Sequence, residues 1–438
     1  MMKSTVLKFG GTSVETIEKI EQIAKQIKDN FSEEKLFVVV SAMGNTTDRI
    51  EGAIKNAKEK LENPEDVYRE FELAYQHHTN THIQNFRDSI YQSFHNTLRK
   101  VAEGNKADVD RLHVTGERLS ALLFHTVLNN YGIDSQFIDF WNPSFPLAVE
   151  GSFSNATLNL SKSMTRAKKL KNSPPHVTVF PGYGGMDGNF VKTLGRGGSD
   201  TAAFGYAYAF GADSIIIGTD VDGLKSANVE SAEIVKEVDI KEASAIAFLG
   251  AKFPSDVALT PLEAMYDKGL NPYVCVANSQ NLLETGTRIV KETSDRRPVK
   301  VIAGRNIATY VLEGDLSTLV SDLYKSGIDW FSYGLNRRFL RLGISERTSE
   351  DAERKIEEYR KNRKLKICEY DRDVAIVGMV GCGMKYQTGV GKRASSALTE
   401  AGINILTFYD PSDVSIGMMI ERGERDKAIN VLYNEFIR

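Results

Sequence analysis

"LKFGGTS", residues 7–13, comes directly after the first apolar residues of the chain. Neither Gly10 nor Gly11 carries a Cβ, so their N–H groups can approach a negative group closely ahead of a helix N-terminus. Lys8 adds a point charge beside them, and an ordinary tight turn is the alternative reading of the same residues. Residues 6–9 read as a short strand. In "SVETIEKIEQIAKQIKDN", residues 13–30, Val14, Ile17, Ile20, Ala24 and Ile27 recur at steps of three and four, which predicts a helix with one apolar stripe. Ser13 is the expected cap, with Thr16 and Glu18 in the polar first turn. "LFVVVSAMGNTTD", residues 36–48, is a continuous apolar run that breaks into small and hydroxyl residues, as a strand buried on both faces should. Strand, helix and strand together predict a right-handed βαβ unit.

Working outward, residues 48–110 lack a comparable strand and read as a helical excursion. "LHVTGERLSALLFHTVL" reads as a loop running into a buried helix. Further strands are expected at "HVTVFPGYGG", "SIIIGTDVDG" and "NPYVCVAN", separated by helical runs such as "SDTAAFGYAYAFG". This alternation predicts a layered α/β domain with a mainly parallel sheet. Such sheets bind ligands beyond the carboxyl ends of their strands, so "KFGGTS", "SAMGNTT", "PGYGG" and "GTDVDG" should gather on one rim. Near residue 295, "SDRRPVK" reads as a linker. Beyond it "LYKSGIDWF" (323–331) and "LTEAGINIL" (398–406) each place a helix end, Gly, Ile and Asp or Asn before a strand. They mark an internal repeat of two ferredoxin-like βαββαβ units.

Composition narrows the function. The chain has 438 residues, long enough for two or three domains, with 41% hydrophobic and 26% charged residues and a net charge of -3. That balance gives no support for nucleic-acid or acidic-membrane partners, and no apolar run approaches the ~20 residues of a bilayer span. The N-terminus lacks the pattern of a signal peptide. Cys275, Cys368 and Cys382 are widely spaced and suit a reducing cytoplasm. "HHTNTH" (77–82) reads as an exposed helix face and not as a metal site, since no carboxylate–histidine ligand pattern accompanies it.

Chemistry-bearing residues cluster in a few stretches. "TLGRGGSD" crowds Arg196, two glycines, Ser199 and Asp200 before an apolar helix. Arginine offers a bidentate fork for a carboxylate, and Asp200 is an anion suited to a helix start. Ser199 or Asp200 acting as a simple helix cap is the bland alternative. "VTGERLSA" sets Glu117 and Arg118 beside a glycine, "GTDVDGL" carries Thr219, Asp220 and Asp222 after an Ile run, and "FLGAKFP" carries Lys252. Neither a P-loop nor the protein-kinase catalytic-loop motif occurs.

Taken together, "KFGGTSV", "SAMGNTT", "TGERLSA", "TLGRGGSDTAA", "GTDVDG" and "GAK" resemble the aspartate kinases in order and spacing, and the C-terminal repeats resemble paired ACT regulatory modules. The resemblance implies an α/β amino-acid-kinase fold, a mainly parallel sheet between helices, followed by two ferredoxin-like α+β ACT modules. The implied divisions are 1–294, 295–370 and 371–438. The implied reaction moves the γ-phosphoryl of ATP to the β-carboxylate of L-aspartate, with Mg²⁺ held mainly by the nucleotide phosphates. Lys8 would meet the transferring phosphate oxygens, Gly10 and Gly11 would cradle them, and Ser41 would lie on the phosphoryl path. Arg196 would pair with the substrate α-carboxylate. Glu117 and Asp200 would hold its amine, assisted by Thr47 and Ser199. Thr219, Asp220 and Lys252 would contact ATP. An effector pocket would involve Gly314, Asp315, Leu316, Asp329 and Trp330, with lysine as feedback inhibitor before threonine, in a homodimer or dimer of dimers joined through the ACT modules. The sequence departs from the family's pattern after "TDVDG", where "LKSANVE" stands, and after "GAK", where "FPSD" stands. Those departures motivate a rival reading, a non-catalytic amino-acid sensor with a degenerate kinase domain.

Overall fold

The computed structural model describes residues 2–59, 81–101, 105–171, 174–284, 286–314, 316–335, 338–362, 365–409 and 412–438. They form two compact units, Met1–Gly223 with Val257–Lys291, and Leu224–Asp256 with Glu292–Arg438. Residues 77–80 of "HHTNTH" and Asp315 fall outside the described residues.

In the first unit the strands lie in the order Thr287–Val290, Tyr273–Asn278, Ser214–Thr219, Ser4–Phe9, Lys35–Val40, Val177–Pro181, Ser135–Phe137. All neighbours are parallel except Thr287–Val290, which runs against Tyr273–Asn278. The central strand is therefore the one that carries Lys8. Register aligns the carboxyl ends: Phe9 pairs with Val40 and Gly218, Val40 with Pro181, and Thr219 with Asn278. The four glycine and hydroxyl turns accordingly share one rim.

Side chains alternate across the sheet. Leu7, Phe9, Val38 and Val40 bury one face with Ile20, Ile23 and Ile27 of the helix Ile17–Asn30 and Leu119, Leu123 and Phe124 of the helix Thr115–Asn130. Phe37 and Phe180 point the other way, where Phe37 stacks on Phe210 with 3.7 Å between ring centroids and Phe180 on Tyr206 at 4.5 Å. Phe210 and Tyr206 belong to the helix Gly198–Phe210, which is buried almost all round. Its small residues allow this: a Cβ on Gly205 would sit 2.8 Å from a methyl of Leu158.

Two local expectations are corrected. Thr16, not Ser13, caps the helix Ile17–Asn30 by accepting the Lys19 N–H, while the Ser13 hydroxyl bonds Gly218 O at 3.4 Å. The segment before "TGERLS" is not a loop: helices Lys106–His113 and Thr115–Asn130 are separated by Val114 alone.

In the second unit one sheet runs Trp330–Leu335, Phe339–Ser345, Val301–Gly314, Leu365–Val380, Ser415–Glu421, Thr407–Tyr409. The repeat is real at the level of hydrogen bonds. After helix Leu316–Lys325, Gly327 (φ 69°) donates to Tyr324 O and Ile328 to Leu323 O. After helix Val390–Glu400, Gly402 (φ 74°) donates to Thr399 O and Ile403 to Leu398 O. Both are Schellman caps, with the Ile folded into its module's core. The modules, however, are nested and not tandem. Ala308 to Ile344 and Leu365 lie in one core, whereas Val299 and Ile302 lie in the other with Ala375, Val377 and Met418. Residues 301–307 thus supply the fourth strand of the second module, pairing with 374–380. The sequence position 370/371 falls inside the strand Leu365–Val380. Leu224–Asp256 also packs here, with Ala227, Val229 and Ala232 against the core of the second module.

That packing is anchored by charge. Glu242 Oε2 accepts from the Lys300 ammonium at 2.9 Å, with both side chains 1% exposed, and Oε1 accepts from the Cys382 N–H at 2.6 Å. Asp239 and Glu242 form a capping box at the start of helix Ile240–Phe248. Lys300→Ala leaves a buried carboxylate without its cation and is expected to cost about 3–5 kcal/mol. Denaturant unfolding of the second unit's signal measures it, and a loss below 1 kcal/mol would mean that the pair contributes no more than a surface one.

Candidate active site

Lys8 is the second-last residue of the central strand, and alternation turns it away from Phe9, toward the face covered by helix Gly198–Phe210. There its ammonium meets Asp200 Oδ1 at 2.5 Å. Asp200 lies in the first turn of that helix, whose cap is Gly197 with no side-chain bond. Neither Ser199 nor Asp200 is the helix cap, so the bland reading of both residues fails. A Cβ on Gly10 would lie 3.5 Å from the Lys8 ammonium, and one on Gly11 would lie 2.8 Å from Ala42 O. Gly11 also accepts the Gly44 N–H at 3.2 Å. Gly11 is thus needed for close approach of the first rim turn to the second.

The second turn is tied to the first by Ser41 N–H to Phe9 O at 3.0 Å. Ser41 is half-buried at the strand end, and Thr47 is half-buried in the first turn of helix Thr46–Lys58. Thr46 beside it is fully buried, with its hydroxyl donated to Met43 O at 2.6 Å. The third turn closes on the same point: a Cβ on Gly182 would sit 2.9 Å from the Ser199 hydroxyl and 3.0 Å from Val40 O.

Glu117 sits in the first turn of the buried helix Thr115–Asn130, where a Cβ on Gly116 would strike Ala42 Cβ at 2.7 Å. Its carboxyl is bonded by its own N–H and that of Ala42, and Oε2 has no hydrogen-bond partner. Burial outweighs those bonds and pushes its pKa up to about 8. Tyr183 lies close enough for Glu117 to act on it. Burial first, then the charge of Glu117, holds its hydroxyl protonated. Tyr183 has φ 68°, rare for a bulky residue, and a Cβ on Gly198 would meet its ring at 2.9 Å. Tyr183 stands in the "PGYGG" rim turn, and its signal in the sequence is a bulky residue between glycines at a strand end.

Arg196 is exposed on the loop between Gly195 (φ 69°) and Gly197 (φ 70°), just ahead of Ser199 and Asp200. Arg118, next to Glu117 in its motif, is held by Asp139 in a bidentate pair and lies over the Trp141 ring. Thr219 and Asp220 sit on the same rim, the Thr219 hydroxyl bonding Asp220 at 3.1 Å, while Asp222 accepts from Asn278 at 2.7 Å. Lys252 belongs to the second unit, exposed after helix Ile240–Phe248. The residues Lys8, Gly10, Gly11, Ser41, Glu117, Ser199 and Asp200 are therefore brought together by the first unit alone. A separate cavity of about 620 Å³ at the sheet's far edge, lined by Phe86, Leu122, His125, Phe137 and Trp141, takes in none of them.

In the second unit Gly314 (φ 138°) ends the strand Val301–Gly314 and Leu316 opens the following helix. Trp330 opens the strand Trp330–Leu335. Asp329 is held by the Arg305 guanidinium at 2.7 Å, which lies over the Phe248 ring at 4.6 Å.

Comparison with known proteins gives the family of the first unit and a regulatory domain in the second. Residues 3–268 match the model of the amino acid kinase family and residues 377–436 that of an ACT domain. The chain is similar to an aspartokinase of Helicobacter pylori, 25% identical over 450 residues and covering 98% of both chains. It shares its fold with aspartokinase III of E. coli solved with aspartate and ADP (TM-score 0.82, 20% identity, 100% of both chains). The same enzyme solved with lysine and aspartate superposes at TM-score 0.73, at 20% identity and 99% of both chains.

The position of Glu117 has a measurable consequence. Its folded pKa of about 8 lies above the ordinary 4.5, so the stability it contributes is complete below pH 4.5 and is lost as pH rises toward 8. In Glu117→Gln the slope of unfolding free energy across that window should flatten by up to about 1.4 kcal/mol per pH unit. Unchanged slopes in paired denaturant titrations at pH 5, 6.5 and 8.5 would show that the carboxyl is ionised throughout.

Proposed function

The chain belongs to the amino acid kinase family, and on that premise we propose that it is an aspartokinase, transferring the γ-phosphoryl of ATP to the β-carboxylate of L-aspartate. The product is 4-phospho-L-aspartate, the first intermediate toward lysine, threonine, methionine and diaminopimelate. The observation that carries this reading is the Lys8–Asp200 pair at the carboxyl end of the central strand, seated against Gly10.

The nucleophile is a carboxylate already ionised at neutral pH, so no general base is required. Catalysis is positioning and charge stabilisation. Lys8 draws on the phosphoryl oxygens as negative charge spreads over them, and the main chain at Gly10 and Gly11 lets those oxygens come close. Ser41 lines their path. Arg196 takes the α-carboxylate through its fork, with Thr47 and Ser199 as hydrogen-bonding partners. Glu117 and Asp200 take the ammonium group, and binding that cation draws the Glu117 proton off. Thr219 and Asp220 contact the nucleotide, and Lys252 is assigned to it by its motif. Asp200 is engaged by Lys8 and Asp222 by Asn278, which suits a Mg²⁺ carried by the nucleotide phosphates more than one held by a protein cage. When bound, that ion neutralises phosphate charge. The sensor reading is disfavoured because the residues facing phosphate and substrate are assembled.

Regulation follows from the ferredoxin-like modules, with lysine as effector ahead of threonine. Asp329 supplies a carboxylate for an effector amine, which must displace Arg305 to reach it. Gly314, Leu316 and Trp330 are assigned to the same proposed pocket, and Asp315, outside the described residues, by its place in the sequence alone. The strands Trp330–Leu335 and Thr407–Tyr409 form the two edges of the module sheet and leave Leu335, Leu406 and Phe408 exposed, which supports a homodimer formed through this unit.

A hydroxamate assay with ATP, Mg²⁺ and L-aspartate tests the activity. Lys8→Ala should lower kcat by at least about a hundredfold with little change in aspartate binding, and unchanged turnover removes Lys8 from the phosphoryl path. Arg196→Ala should raise the aspartate KM at least about tenfold, and an unaffected KM removes it from the α-carboxylate. Asp329→Ala should raise the inhibitory lysine concentration at least about tenfold; unaltered inhibition places the effector elsewhere.

A further inference from the structure

We infer that Asp110 is the positioning residue for Arg196, the buried acceptor that sets the shape of the "GRGG" loop and with it the affinity for aspartate. The inference rests on the reading of Arg196 as partner of the substrate α-carboxylate.

The loop closes a turn of its own, with the Gly198 N–H donated to Gly195 O at 3.0 Å, and that bond does not tie it to the strand before it or the wall behind it. Arg196 stands between two glycines, both near φ 70°, and glycine backbone is the least restricted of all. A guanidinium on such a tether is useful for orientation only if its flanks are fixed from outside. Asp110 supplies that fixing. It is fully buried in helix Lys106–His113, and both of its oxygens are used. Oδ2 accepts the Ser154 N–H at 2.8 Å and the Thr193 N–H at 2.9 Å, and Oδ1 accepts the Ser154 hydroxyl at 2.8 Å.

Each partner borders the loop. Thr193 ends the strand Phe190–Thr193 that leads into it, and the next residue, Leu194, donates to Tyr183 O at 2.8 Å. Ser154, itself at φ 64°, forms with Phe153 the turn between strands Val149–Ser152 and Asn155–Leu158. That turn backs onto the loop: a Cβ on Gly195 would lie 2.8 Å from Asn155 Oδ1 and 3.5 Å from Ser154 O. One carboxylate therefore holds the incoming strand and the wall behind it. Its helix is followed after Val114 by the one that carries Glu117, so the groups for the two ends of the amino acid share one anchor.

The chemistry of the contact separates positioning from charge. In Asp110→Asn the amide oxygen can accept both N–H groups while the NH₂ donates to the Ser154 hydroxyl, which turns to accept. The two N–H contacts and a bond to the Ser154 hydroxyl are kept and the charge is gone, while the second amide N–H and the Ser154 proton must find new acceptors. In Asp110→Ala all three are lost.

The test is steady-state kinetics on the full chain, with Arg196→Ala measured in parallel. Asp110→Ala should raise the aspartate KM about tenfold or more, leaving the ATP KM within about twofold and kcat within about threefold, and Asp110→Asn should restore the aspartate KM to within about threefold of the parent. Should the alanine variant not fold, the double-mutant cycle decides. Ser154→Ala should cost under about twofold in aspartate KM alone, but at least about fivefold in the Asp110→Asn background, where the NH₂ loses its acceptor. An additive cycle, an asparagine variant as impaired as alanine, or equal damage to the ATP and aspartate KM values overturns the inference. An inert parent enzyme, or Arg196→Ala with unchanged aspartate KM, overturns the functional reading beneath it as well. If Arg196→Ala raises the KM and Asp110→Ala does not, only the role of Asp110 is lost.

Discussion

Everything at the rim of the first unit is arranged around the ion pair between Lys8 and Asp200. A lysine near the end of the central strand of a parallel sheet is buried by its neighbours, and a buried ammonium without a partner is expensive. Alternation fixes the side from which that partner must come, because Phe9 takes the opposite face and stacks on Phe124. The acid therefore has to be delivered by helix Gly198–Phe210, at its first turn, where the helix dipole also favours an anion. A helix that begins there must turn sharply out of the preceding strand, hence Gly195 and Gly197 at positive φ. It must also lie close to the sheet, hence its alanines and glycines. Replacing such a pair by apolar residues often stabilises a fold. Its presence at a strand end among close-packed glycines is a mark of use and not of stability. On the proposed reading, an arriving phosphoryl group would take over the role of Asp200 as counter-ion to Lys8.

Much of this was legible because it depends on local rules. Period and composition gave the strand–helix–strand start, the mainly parallel sheet and the common rim. The crowding of Gly, Ser and Asp in "GRGGSD" located the helix start. What could not be read were features that need a partner distant in sequence. Asp110 looks like one more acid in a polar helix until Ser154 and Thr193 fold onto it. Arg118 looked as available as Glu117, but Asp139 and Trp141 claim it. Ser13 lost the cap to Thr16 because the short 3-10 turn at Gly11–Ser13 postpones the helix by a few residues. Neighbouring residues with equal propensity are separated only by such turns.

The nested modules show the same limit on a larger scale. The Gly-Ile signature at 327–328 and 402–403 is a local device, a left-handed glycine followed by an apolar residue closing a helix end, and it betrays the repeat without a structure. Which strand completes each sheet is a topological matter. The strand Val301–Gly314 is long enough to pair along Leu365–Val380 on both sides of a register shift, so its first half serves one module and its second half the other. A sequence that lists the elements in order cannot distinguish this from two complete units in tandem.

The site divides into parts of unequal freedom, and the division matches the chemistry each performs. Lys8 and Glu117 are mounted on a central strand and a buried helix, elements whose positions are fixed by the whole core. Charge that develops during phosphoryl transfer is best met by groups that need no rearrangement at that moment, so a rigid mounting for Lys8 is what the reaction rewards. Arg196 stands between two glycines at positive φ, a mounting with more backbone freedom than a strand or a buried helix. Such a loop loses more conformational freedom on ordering than a strand does, and that loss subtracts from affinity and not from the chemical step. On the proposed roles, affinity for the amino acid is therefore the more easily altered property of this site, and the mounting of Lys8 the more rigid. On the proposed roles, changes at Asp110 and Ser154, which lie behind the Arg196 loop and away from Lys8, would act on the first more than on the second.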